Sequence, residues 1–84
     1  MKIEVLGPGC YNCQKLEKDV FNALAELNID AEVIKVTDIK KMSSYGILMT
    51  PGLVINGKVY SSGKIPVMAT LMKWIEEEYK KSAN

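Results

Sequence analysis

Histidine is missing from the chain altogether, and cysteine occurs only twice. A structural zinc site wants four Cys or His ligands, so one chain cannot close such a site. Only thiolates shared between two chains could. Charge of one sign is missing too: 11 basic and 10 acidic residues leave a net charge of +1. That balance offers no field to hold nucleic acid or an anionic membrane. No segment approaches the ~20 apolar residues a membrane span needs. Lys2 and Glu4 interrupt the N-terminal stretch MKIEVLGPGC, so it lacks the apolar run of a signal peptide. These absences point to a cytoplasmic protein, in a compartment that keeps thiols reduced. No repeat, low-complexity tract or linker divides residues 1–84, which read as one domain ending in a fraying tail, KKSAN.

What is present is ordinary globular material. Apolar residues make up 48% and charges 25%, which rules against disorder. A chain of this length buries a little over ~60% of its unfolded surface and can form a modest core. KIEVL (2–6) alternates polar and apolar positions and predicts a strand. GPG (7–9) breaks it. From Tyr11 to Asn28, Cys13, Leu16, Val20, Leu24 and Leu27 recur at steps of three and four, one face of a helix. Phe21 and Ala23 widen that face, and Asn28 is the expected stop. AEVIKV (31–36) reads as a buried strand and TDIKKMSSYG (37–46) as a short helix. GLVINGKVY (52–60) predicts a hairpin, because Asn56-Gly57 suits a type I′ turn. Pro66 fits the first turn of a last helix, running to about Lys80 with Ile65, Met68, Leu71, Met72, Ile75 and Tyr79 on its inner side. The order β-α-β-α-β-β-α gives an α/β fold. It has a right-handed parallel crossover first, then an antiparallel pair, and so a four-stranded mixed sheet with helices on both faces.

Cys10 and Cys13 allow several readings. As a staple they would close a ring of only four residues, giving about 2 kcal/mol on the chain-entropy model, and the bond would rarely persist in a reducing compartment. As metal ligands they lack partners, since no second CxxC is present. As a redox pair they are well placed. Cys10 falls at the start of the helix, where unpaired backbone N–H groups and the helix dipole favour a thiolate. Cys13 lies one turn in, on the Leu16–Val20 stripe, and should be more buried. Cys10 can then attack a disulfide and Cys13 can resolve the mixed species. A CxxC that follows a strand and opens a helix within a βαβ unit is far more specific than the motif alone.

GCYNC after the first strand, together with YGILMTPGLVINGKVYSSGKIP (45–66), resembles the thioredoxin-like superfamily, and within it the small glutaredoxin-sized redox-active disulfide proteins of archaea and bacteria. The resemblance covers nearly the whole chain. It implies a thiol–disulfide oxidoreductase without a cofactor or metal, a monomer that acts on protein disulfides and is recharged by a reductase or a small thiol. It also implies a cis proline at Pro51 beside the active site, with Thr50 and Pro51 meeting the substrate; Tyr11 and Gly63 are further candidates for that contact. The chain departs from thioredoxins in Gly9, which stands where they carry Trp, in the Tyr11-Asn12 loop, and in lacking an extra N-terminal strand and helix. Its first strand shows no evident buried acid. SSGKIPV (61–67) has no acid of the kind that helps glutaredoxins hold glutathione. Two other readings stay open: a thiol carrier for a soft metal, arsenic or an iron–sulfur cluster, and a redox-sensing interaction module.

Other residues carry bland readings beside sharper ones. Lys15 reads as a solvated helix residue or as support for a thiolate, Tyr11 as an exposed aromatic or a substrate contact, and Gly63 as a turn residue or an opening for a partner. Trp74 and the five Met residues read as packing. Glu76, Glu77 and Glu78 with Lys80 and Lys81 read as a solvated helix end.

Overall fold

The computed structural model describes residues 1–82. Its elements are β1 (Lys2–Leu6), α1 (Tyr11–Leu27), β2 (Glu32–Val36), α2 (Ile39–Ser44), β3 (Gly52–Ile55), β4 (Lys58–Ser62) and α3 (Met68–Ser82). The strands form one mixed sheet in the order β2-β1-β3-β4. β1 pairs parallel with β2 and antiparallel with β3, and β3 pairs antiparallel with β4. Both middle strands are sandwiched. Ile3, Val5, Leu53 and Ile55 pack against Leu16, Val20 and Ala23 of α1 and Leu71 and Ile75 of α3. On the opposite face Leu6, Val36 and Val54 meet Met42 of α2 and Ile47 just beyond it. The α/β architecture with helices on both faces therefore stands as the sequence implied.

Local chemistry sets the element ends. Asn28 closes α1 in the left-handed region (φ 54°), its N–H reaching the carbonyls of Leu24 and Ala25. Asp38 caps α2 by accepting from the Lys40 N–H at 2.9 Å. Asn56 (φ 52°) and Gly57 (φ 83°) both take positive φ, as a type I′ turn requires. The hairpin carries a feature the pattern did not announce. Leu53 faces Ser61 while Val54 faces Val59, so Tyr60 is the extra residue of a bulge. Its ring lies 5.3 Å from that of Trp74.

Several expectations about faces need correction. Phe21 is 53% exposed and Tyr79 is also exposed; the apolar stripes of α1 and α3 are narrower than the helical spacing suggests. α3 begins at Met68 rather than at Pro66, with Leu71 N–H bonded to the Val67 carbonyl. The expected tail is helical as far as Ser82, and residues 83–84 lie outside the described residues.

Glu78 is the largest correction. It is not solvated: it is 2% exposed, at the end of the sheet where the hairpin turns. Its Oε2 accepts from the Tyr60 hydroxyl and sits 3.4 Å from Lys58 Nζ and 3.6 Å from Lys81 Nζ, while Asn56 Nδ2 approaches Oε1 at 3.4 Å. The Tyr60 hydrogen bond, helped by Asn56 and the two lysines, holds the Glu78 carboxyl below the usual carboxylate range against the opposing pull of burial. Burial, and then the same hydrogen bond, push Tyr60 up to about 12. A lowered folded-state value means that Glu78 stabilises the fold above the ordinary carboxylate range, and that this contribution disappears as pH falls through the folded value. Glu78→Gln keeps an acceptor for Tyr60 but loses the charge. It is expected to cost about 1 kcal/mol at pH 7 and to flatten the acid side of the stability curve. Urea unfolding at pH 7 and pH 3 checks this: the two proteins should differ at pH 7, and the gap should narrow as pH falls.

Candidate active site

β1 runs straight into the loop that holds the sulfurs. The Gly7 N–H continues the β1–β2 ladder by donating to the Val36 carbonyl at 2.8 Å. Pro8 and Gly9 (φ 90°) then turn the chain so that Cys10 becomes the N-cap of α1. Cys10 and Cys13 form a disulfide with their Cα atoms 5.1 Å apart. The two sulfurs are not equivalent. Cys10 is partly exposed and its Sγ accepts from the Cys13 N–H at 3.2 Å. Cys13 is 3% exposed, on the buried stripe of α1. The helix therefore offers backbone N–H groups and the positive end of its dipole to the outer sulfur and shields the inner one.

Gly7 closes the floor of the site. A Cβ built there would overlap Cys13 Sγ, lie 3.2 Å from Cys13 Cβ and 3.5 Å from Thr50 Cβ. The buried sulfur and the Thr50 side chain thus converge on one glycine. The Thr50–Pro51 peptide bond is cis. Pro51 is buried and Thr50 exposed, and no backbone hydrogen bond joins Thr50 to another described residue. Gly63 (φ 80°) stands beyond, its N–H donating to the Pro51 carbonyl at 2.9 Å and its Cα facing the Met49 side chain. Gly63 accordingly serves the turn and the packing of Met49. Met49 itself is exposed rather than core.

The rim around these groups is apolar. Tyr11, Ile39, Leu48 and Met49 are exposed, Leu48 to 90%. A largely apolar cavity of about 290 Å³ opens beside Thr50, lined by Pro8, Ile39, Met42, Ser43, Ile47 and Leu48. Lys15 is engaged with Asp19 at 3.2 Å, as a solvated helix pair. Among the described residues no group of three or more His, Cys, Asp and Glu is arranged to hold a metal ion, and no helix is long and apolar enough to cross a membrane.

The expectation that the first strand holds no buried acid is overturned. Glu4 is 1% exposed. It reads as an outward position in an alternating strand, but β1 is central and covered on both faces, so both sets of its side chains point inward. The signal was available in the expectation of helices on both faces. Glu4 lies on the α2 side, where the Tyr45 hydroxyl donates to Oε1 at 2.7 Å and Lys41 Nζ lies 3.3 Å from Oε2.

Comparison with known proteins agrees with this geometry. Residues 1–76 match the family model described as Thioredoxin domain. The chain is similar to a thioredoxin of Methanothermobacter thermautotrophicus, 40% identical over 65 residues that span 77% of this chain and 84% of that one. It is also similar to a thioredoxin of Methanocaldococcus jannaschii, 38% identical over 64 residues that span 76% and 73%. Among solved structures, thioredoxin 1 of Thermosipho africanus superposes over the whole of both chains with a TM-score of 0.66 at 19% identity, a likeness of fold.

Proposed function

The chain belongs to the thioredoxin domain family, and we propose that Cys10 and Cys13 carry its thiol–disulfide oxidoreductase activity, with Cys10 attacking and Cys13 resolving. The asymmetry of the two sulfurs carries this assignment: the outer one caps the helix and the inner one is 3% exposed. In the dithiol form the Cys10 thiolate attacks one sulfur of a target disulfide. The Cys10–target bond forms, the target S–S bond breaks, and the released target thiolate takes a proton. Cys13, deprotonated, then attacks Cys10 Sγ. The second target thiol leaves and the Cys10–Cys13 bond forms, the state seen here. The target has gained two electrons and two protons, and the pair has lost them. A reductase or a small thiol must restore the dithiol.

Thr50 offers a free backbone N–H and C=O to an extended target segment, as an added strand would use them. Pro51 fixes the approach of that segment, and Tyr11 and Gly63 border it. The apolar cavity beside Thr50 suits a target with an apolar side chain near its cysteine. We further assign the chain to the cytoplasm, acting as a single-domain monomer on protein disulfides.

With dithiothreitol as electron source, the wild-type protein is expected to reduce insulin. Its pair should also equilibrate with redox buffers between roughly −300 and −120 mV. A protein that does neither overturns the reading.

A further inference from the structure

Glu4 asks for an account that the exchange reaction does not give. An apolar residue in a strand covered on both faces costs less to bury than a carboxylate. The charge is retained with partners from one element only. Lys41 and Tyr45 stand one turn apart on α2 and its C-cap and reach the two oxygens of Glu4 separately, at 3.3 Å and 2.7 Å. Oε2 makes an ion pair but no hydrogen bond. The Tyr45 hydroxyl donates to a charged acceptor, the stronger kind of hydrogen bond, and the Glu4 carboxylate holds that hydroxyl above its ordinary range.

α2 needs such an attachment. It has six residues, and Met42 is its only buried side chain. The chain that follows is Gly46, Ile47, Leu48, Met49 and Thr50, a strap whose last residue, Thr50, lies across Gly7 from Cys13. Ile47 is plugged into the core, and its N–H bonds to the Met42 carbonyl at 3.0 Å. Leu48, Met49 and Thr50 are exposed. The far end of the strap is tied by Ser62 Oγ donating to the Met49 carbonyl at 3.2 Å. Its near end is tied to the sheet through Tyr45.

We propose that Glu4 and Tyr45 are positioning residues for substrate: their hydrogen bond, joined by Lys41, clasps α2 to the central strand and so sets the place of the 46–50 strap, which ends across Gly7 from Cys13. The proposal rests on the disulfide-exchange reading and deepens it. The clasp acts on the docking of a protein substrate and leaves the sulfur chemistry alone.

Tyr45→Phe removes the donor and little else. Its KM for insulin is expected to rise about five-fold, with kcat changed less than about two-fold. The rate of the reduced protein on the small disulfide 5,5′-dithiobis(2-nitrobenzoate), which needs no strap, should stay within about two-fold. The amides of Tyr45, Gly46 and Ile47, which are bonded to α2 carbonyls, should exchange with solvent roughly ten-fold faster, while those of α1 do not change. The pH midpoint for alkylation of Cys10 by iodoacetamide should not move. An unchanged KM with unchanged amide exchange overturns the proposal. So does a shift of that midpoint by about one pH unit, because Glu4 would then act on the thiols themselves. Should Tyr45→Phe fail to fold, Lys41→Gln, altered at a half-exposed side chain, decides on the same readouts. A wild type unable to reduce insulin overturns the parent reading and this one together. A wild type that reduces insulin, beside a Tyr45→Phe protein with wild-type KM and exchange, overturns this one alone.

Discussion

Cys10→Ser is expected to reduce turnover on protein disulfides to the rate of dithiothreitol alone, whereas Cys13→Ser should complete one bond-forming step and stop. The difference follows from where the sulfurs sit. Only Cys10 is open to an incoming disulfide, and the N-terminus of α1 favours its thiolate. Cys13 lies under Gly7 and can reach only the sulfur one turn away. With serine at position 13, the target stays bonded to Cys10 because nothing nearby displaces it. One equivalent of mixed disulfide per chain should accumulate. It should appear as a slower band on a non-reducing gel and dissolve on addition of dithiothreitol. Trapping by Cys10→Ser instead would reverse the assigned roles. Neither variant should unfold, since a four-residue ring contributes only about 2 kcal/mol. Loss of activity therefore reports chemistry rather than collapse. Performed in cell extract, the Cys13→Ser experiment also identifies the natural target, whose chemistry the apolar rim of Tyr11, Ile39, Leu48 and Met49 restricts.

The parts of this arrangement that were legible in the sequence are those with local causes. The step pattern from Cys13 to Leu27, the Asn56-Gly57 turn and the glycine-proline break before Cys10 each act within a few residues, and each stands in the structure. The position of Cys10 at the helix start and of Cys13 on its buried stripe came with them. What escaped depends on contacts made across the fold. Glu4 was hidden by alternation, which describes a strand with one wet face and fails for a central strand covered on both. Glu78 sits in a run of three glutamates that looks solvated. It nevertheless lies three residues after Ile75 and seven after Leu71, so it falls on their stripe, and Tyr60, displaced by a bulge, gives it a partner. Phe21 erred the other way: it adjoins the stripe in sequence, but the helix turns it past the edge of the core. Gly7 reads in the sequence only as part of a break, because the sulfur that crowds it belongs to the next helix.

That crowding predicts a second large effect. Gly7 has no positive φ, so its requirement is for space and not for backbone freedom. Both sides of the contact are pinned. The Gly7 N–H is bonded to the Val36 carbonyl, and Cys13 is carried by a helix whose Leu16, Val20 and Ala23 have no exposed surface. In Gly7→Ala the new methyl group overlaps Cys13 Sγ and presses on Cys13 Cβ, so either α1 or the end of β1 must shift. Overpacking of this kind costs about 1–3 kcal/mol, which for a domain of this size lowers Tm by roughly 5–20 °C. Thr50 lies on the other side of the same methyl group, at 3.5 Å, so the strap is also expected to move and insulin reduction to fall. The test is a double-mutant cycle by thermal unfolding. In a Cys13→Ala background the offending sulfur is gone, and Gly7→Ala should then cost well under half of what it costs in the wild type. An equal cost in both backgrounds would mean that the glycine is needed for something other than the buried sulfur. Recovery would establish that the floor of the site is shaped by one missing side chain, which lets Cys13 sit beneath the strand and within reach of Cys10.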